Sequence, residues 1–98
     1  AECMDLLKSA VAEFADGVYQ SNPALARHPK QWAAHTSFAY NVGLATYRRS
    51  SVARLFAQGK QAEACRFMSR YVYAGGRKLN GLVRRRAAET ALCLEGVE

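Results

Sequence analysis

Three residue types in this sequence could carry chemistry: cysteine, histidine and the carboxylates. Cys3, Cys65 and Cys93 form no Cys-x-x-Cys pair and lie near no histidine, so the ligand spacing of a zinc site is absent and no metal is expected. Three is an odd number for a disulfide framework. The cysteines therefore read first as buried thiols acting as small apolar groups. The competing reading is one bridge, Cys3 with Cys93, tying the first helix to the last. His28 precedes Pro29 in a loop, and His35 falls in an apolar helix, where a core residue is a better reading than a base. Neither belongs to a Ser-His-Asp or Cys-His arrangement. Gly75-Gly76 is not followed by the Lys-Ser/Thr of a phosphate loop, and no cofactor is expected. Of the eight acids, Glu2, Asp5, Glu13 and Asp16 line the polar side of the first helical pattern. Glu63 and Glu89 sit among Lys and Arg, and Glu95 and Glu98 end the chain. No complete active site is legible.

The charge is uneven. The net value is +6, yet residues 1–26 hold four acids against one Lys, while nearly all the Arg falls within 48–86. One surface should be positive and attract polyanions such as nucleic acid, anionic lipid or an anionic wall polymer. Ninety-eight residues make one domain, and a 50% apolar composition is enough for a core.

The elements that would position these groups are helical. Cys3, Leu6, Leu7, Ala10, Val11, Phe14 and Val18 repeat at helical spacing. Gly17 weakens the end of that helix, and Ser21-Asn22-Pro23 breaks it. Pro29 suits the first turn of a second helix, about 30–44, which is apolar nearly all round and so should be central; Gly43 stops it. Ser50 or Ser51 can cap a short helix through Ala57 that Gly59 closes. A fourth runs from about Gln61 to Tyr71, and Asn80 can cap a last one, about Gly81 to Leu94. No strand is convincing. The expected architecture is all-α, about five helices with short connections, divided into a first helix (1–20) and a helical body (21–98).

Several ordered motifs share one resemblance. Gln31-Trp32-Ala33-Ala34-His35-Thr36-Ser37-Phe38-Ala39-Tyr40-Asn41-Val42-Gly43 resembles a Q-aromatic-x-A-x-x-S-F-x-aromatic-N-x-G motif of the phage-type lysozymes, the endolysins. Tyr47-Arg48-Arg49-Ser50-Ser51, Leu55 to Gly59, Arg70-Tyr71, and Ala74-Gly75-Gly76 through Gly81-Leu82-Val83-Arg84-Arg85-Arg86-Ala87-Ala88-Glu89 follow in the family's order. Ala1-Glu2-Cys3 with Leu6-Leu7 is similar to the start of the long helix joining the two lobes. The resemblance covers essentially the whole chain.

It implies the C-terminal helical lobe of a phage or prophage lysozyme whose parent cleaves peptidoglycan between N-acetylmuramic acid and N-acetylglucosamine. In this family the catalytic Glu, Asp and Thr lie in the N-terminal lobe, and no residue here matches them, so no catalytic residue carries over. Glycoside hydrolysis takes two carboxyl groups about 5–10 Å apart, one shielded to stay protonated. None of the acids above suits that role. The chain alone is therefore expected to be inactive and to need a missing N-terminal lobe.

The resemblance places Asn41 at the polar cleft position, where an amide can both donate to and accept from sugar groups; the competing reading is a buried helix cap. Tyr71 stands at the family's Trp position and could face a sugar ring or simply fill the core. Tyr40 and Tyr73 are weaker candidates of the same kind. Arg84, Arg85 and Arg86 cannot all face inward, being about 100° apart around a helix. Arg85 is the expected lobe-interface residue, against the alternative of a solvated basic face. The partners so implied are the glycan strand, the missing lobe, and a second copy through the first helix. The site of action is the bacterial wall or periplasm, after synthesis in the host cytoplasm. The alternative is a non-catalytic basic module that binds wall polymer or anionic membrane. No base-reading helix stands out, so no specific nucleic acid is expected.

Overall fold

The computed structural model describes the backbone of residues 2–74 and 76–97, and the side chains of residues 11–72 and 76–97. The helices are α1 (Glu2–Ser21), α2 (Pro29–Val42), α3 (Leu44–Arg48), α4 (Ser51–Ala57), α5 (Gln61–Phe67) and α6 (Asn80–Glu95). Short 3₁₀ turns cover Pro23–Arg27 and Met68–Arg70. Strands β1 (Tyr73–Ala74) and β2 (Arg77–Lys78) make a minimal antiparallel hairpin, Tyr73 opposite Lys78, which apolar alternation could not reveal at two residues each. No described helix is long and apolar enough to cross a membrane.

The helix ends have local causes. Pro29 opens α2, and Gly43 closes it at φ 96, a left-handed value that glycine adopts without strain. Gly43 then launches α3 directly, a one-turn helix that the sequence reading left as a connection. Ser50 caps α4: its Oγ accepts from Ala53 N at 3.2 Å and donates to the Tyr47 carbonyl at 2.6 Å. α1 ends at Ser21, where the Ser21-Asn22-Pro23 break is expected. Gly17 lies inside it at a close contact, since a Cβ there would lie 2.7 Å from Leu44 Cδ1. One expectation changes. Asn80 does not cap α6 but is its first residue, with Leu79 at the cap position and no side-chain cap bond.

The core gathers around α2, which packs between α1 and α6. Val18, Leu25, Phe38, Tyr47, Val52, Met68, Cys65 and Cys93 are fully buried. Two polar side chains lock α2 in place. Trp32 Nε1 donates to the Ala15 carbonyl of α1 at 2.9 Å. The fully buried Gln31 donates to Gln61 Oε1 and to the Gly96 carbonyl, both at 2.9 Å. The expectation of a helix apolar and buried all round is corrected on one side: Ala33 and Tyr40 stay exposed and border a groove.

Cys65 and Cys93 form a disulfide across α5 and α6, with Cα atoms 5.5 Å apart. This replaces both earlier readings, the unbridged thiols and the Cys3–Cys93 bridge. The packing of α5 on α6 brings these two backbones within bridging distance, a tertiary fact that spacing cannot encode. The Cys3 side chain lies outside the described residues.

Candidate functional site

The end of α2 and the first half of α6 meet in a buried ionic cluster. Arg86 is fully buried and Glu89, one turn on, is 5% exposed. Arg86 Nη2 donates to Glu89 Oε2 at 2.9 Å, and its Nε lies 2.7 Å from Oε1, a contact of charge more than an aligned hydrogen bond. Ser37 of α2 donates to the same Oε2, and Arg85 Nε approaches it at 3.4 Å. The remaining arm of Arg86 donates through Nη1 to Asn41 Oδ1 at 2.9 Å. Its guanidinium also lies over the Phe38 ring, 5.3 Å from the centroid.

This arrangement fixes an exposed amide. Asn41 is exposed at the last turn of α2, so the helix-cap reading of a buried Asn does not hold. Its carbonyl oxygen faces the buried Arg, and its NH₂ group can then point nowhere but away from that cation. A side chain that would otherwise sample rotamers is held in one orientation, with two donors available to a ligand.

The aromatic candidates separate. Tyr71 is half-buried, edge-on to Phe38 at 4.8 Å and tilted to Phe67 at 6.3 Å. Through Phe38 and Arg86 it is contiguous with Asn41. Tyr40 is 40% exposed and packs its edge on Phe14 of α1. The Tyr73 side chain lies outside the described residues. Arg85 is half-exposed and borders a groove of about 550 Å³ between α1 and α2, whose apolar wall includes Val11, Ala15, Trp32, Ala33 and Tyr40.

His35 is no acid–base candidate. It is fully buried, with Nδ1 2.6 Å from the Tyr47 hydroxyl, and burial pulls its pKa down to about 3. Burial likewise raises the Tyr47 phenol above its ordinary value, against a smaller opposing effect of its hydrogen bond from Asn22. Among the described residues Glu89 is the one buried acid, and it is held by two Arg. Glu13, Asp16, Glu63 and Glu95 are exposed. No described group gathers three His, Cys, Asp or Glu that could hold a metal.

The residues that the sequence reading missed are Arg86, Glu89 and Ser37. A signal was present: Glu89 stands three residues after Arg86 and four after Arg85, the spacing at which helical side chains meet. What the spacing could not give was which Arg α6 turns toward α2.

Comparison with known proteins adds to this geometry. A family model described as phage lysozyme matches residues 1–89. The chain is similar to the endolysin of Bacillus phage PZA, 39% identical over 92 residues, which cover 94% of this chain and 35% of that one. It is 37% identical over 98 residues to the SAR-endolysin of Enterobacteria phage P21, covering 98% of this chain and 58% of that one. Among solved structures, the muramidase domain of SpmX from Asticaccaulis excentricus superposes with a TM-score of 0.79 at 28% identity. That match covers 92% of this chain and 63% of the other. The chain thus spans between about a third and somewhat over half of the curated relatives named here.

Proposed function

The chain belongs to the phage lysozyme family, and on that premise we propose that it forms the helical, glycan-binding lobe of an enzyme that hydrolyses peptidoglycan between N-acetylmuramic acid and N-acetylglucosamine. The observation that carries this reading is the exposed Asn41 amide held by the buried Arg86. A ligand meeting an oriented amide loses less freedom on binding than one meeting a mobile side chain. Asn41 donates to sugar hydroxyl or N-acetyl oxygens, and Tyr71 and Tyr40 offer aromatic surface for ring faces.

The two carboxylates of the reaction come from outside residues 1–98 in this reading. Among the described residues the acids are either exposed or, as Glu89, neutralised inside the fold. The segment that brings them docks along the apolar groove between α1 and α2, with Arg85 at its border offering a cation to an acidic neighbour. The same groove, left uncovered, promotes pairing of two copies beside α1. In this reading residues 1–20 are the interlobe helix and residues 21–98 the lobe body. The Cys65–Cys93 bridge fits action at the wall in an oxidising periplasm.

The test is a nuclear magnetic resonance titration of the chain with a muramyl-containing glycan fragment, alongside clearing of bacterial walls. Wild type shows saturable shifts around residues 37–41 and clears no walls by itself. Joined to the part of the phage P21 relative that the match leaves uncovered, it clears them. Asn41→Ala keeps the fold and loses at least about fivefold in glycan affinity, the worth of one or two hydrogen bonds. Glycan shifts that ignore Asn41 overturn the assignment.

A further inference from the structure

A second cleft, of about 480 Å³, opens between the end of α1, α3 and the start of α4. Arg48, Arg49 and Arg54 line it above a floor that includes the buried Asn22, Ser50 and Ala53. The polar floor is already satisfied. Asn22 Nδ2 donates to the Ala53 carbonyl at 3.3 Å, and Ser50 Oγ donates to the Tyr47 carbonyl at 2.6 Å. The cations are not. Among the described residues the ion pairs are Lys30–Glu95, Arg85–Glu89 and Arg86–Glu89, so none of the three cleft Arg faces a carboxylate. Arg49 gives only Nε to the Ala45 carbonyl, and Arg54 gives one Nη2 contact to Ser51. A guanidinium carries five N–H donors, so most of the cleft's donors are uncommitted.

The chemistry selects the ligand. A neutral sugar is best served by mixed donors and acceptors, as at Asn41, whereas this cleft presents donors and positive charge. The cleft beside Lys60 and Arg66 differs in kind, because Glu63 lines it too and balances its charge. A carboxylate has two oxygens for three planar forks. A tetrahedral phosphate has oxygens enough for all three, and guanidinium matches phosphate bidentately.

We infer that Arg48, Arg49 and Arg54 form a phosphate-binding cleft, taking a terminal phosphate monoester, with its three free oxygens, from either a lipid headgroup or a soluble donor. It is independent of the glycan reading, since no residue of the Asn41 cluster lines it. Bound to headgroups, it would hold the lobe at a membrane surface.

The test uses the 98-residue chain. Amide shifts are followed against sodium phosphate at constant ionic strength, and sedimentation with vesicles of phosphatidylcholine alone or mixed with phosphatidic acid. The variant is Arg48→Gln with Arg49→Gln and Arg54→Gln; the charge-matched control is Arg66→Gln with Arg70→Gln and Arg77→Gln. Wild type gives saturating shifts over residues 48–54, and the cleft variant loses at least about tenfold in phosphate affinity, the control less than about threefold. Phosphatidic acid binding lost in the cleft variant alone identifies the headgroup as the source. Saturable phosphate binding without that vesicle difference identifies a soluble phosphate. Shifts that do not saturate, or equal losses in variant and control, overturn the site. Should the triple variant unfold, each single Arg→Gln is expected to weaken phosphate binding, and three unchanged affinities overturn it equally.

Discussion

Replacing Arg86 tests whether the buried cluster is held by charge or by shape. Arg86→Met keeps length and apolar stem but removes the guanidinium. Glu89, 5% exposed, would then keep only Ser37 and a half-exposed Arg85 at 3.4 Å. Breaking a buried pair from one side costs about 3–5 kcal/mol, because a charge is left without its partner. The two surviving contacts place this variant near about 3 kcal/mol, at the lower end. Glu89→Leu leaves Arg86 with Asn41 and the Phe38 ring but no carboxylate, and belongs at the upper end. Replacing both, Arg86→Met with Glu89→Leu, removes both desolvated charges and should return to within about 1 kcal/mol of wild type. Urea unfolding of the four proteins closes the cycle, with constant slopes needed for the comparison. The double variant should recover stability without recovering glycan affinity, because Asn41 has lost its brace. An Arg86→Met cost under about 1 kcal/mol, or a double variant as unstable as the sum of the singles, refutes the reasoning.

Three further outcomes concern His35, the disulfide and Gly43. His35 has its pKa lowered from 6.5 to about 3, so the unfolded chain binds the extra proton first; stability is full above pH 6.5 and falls as pH drops toward 3. The steepest slope is about 1.4 kcal/mol per pH unit, and urea midpoints from pH 7 to 4 should lose that component in His35→Gln; an unchanged pH slope contradicts it. Reducing the Cys65–Cys93 bridge, whose ends are 28 residues apart, should cost roughly 3–4 kcal/mol, matched by Cys65→Ser with Cys93→Ser and read from denaturation with and without reductant. Gly43→Ala forces a side chain to φ 96 and should cost about 1–3 kcal/mol, checked by the thermal midpoint; no loss would mean that the turn relaxes.

How much of this was legible follows from the range of each interaction. Helix stops at Gly43 and Gly59 and the Ser50 cap depend on neighbours within four residues, and the sequence shows them directly. The family motif places Asn41 at the end of α2 for the same reason. Gly17 looked like a weak helix end because its partner, Leu44, is distant in sequence. The Cys65–Cys93 pairing and the inward turn of Arg86 both depend on how α6 lies on its neighbours, which no local pattern states. The hairpin of β1 and β2 is shorter than any periodicity.

The disulfide and the ionic cluster share one element, α6. Cys93 ties the C-terminal half of α6 to α5, while Arg86 ties its N-terminal half to the end of α2. A buried ion pair is a poor source of stability compared with apolar packing of the same volume. Its presence between α6 and Asn41 is better explained by orientation. The covalent bridge restrains the unfolded chain and offsets the desolvation of Arg86 and Glu89. The ionic cluster in turn sets the direction of one exposed amide. Under that division of labour stability and glycan binding respond separately: loss of the disulfide lowers the first while leaving the affinity of the folded fraction intact, and the paired Arg86 and Glu89 replacement does the reverse.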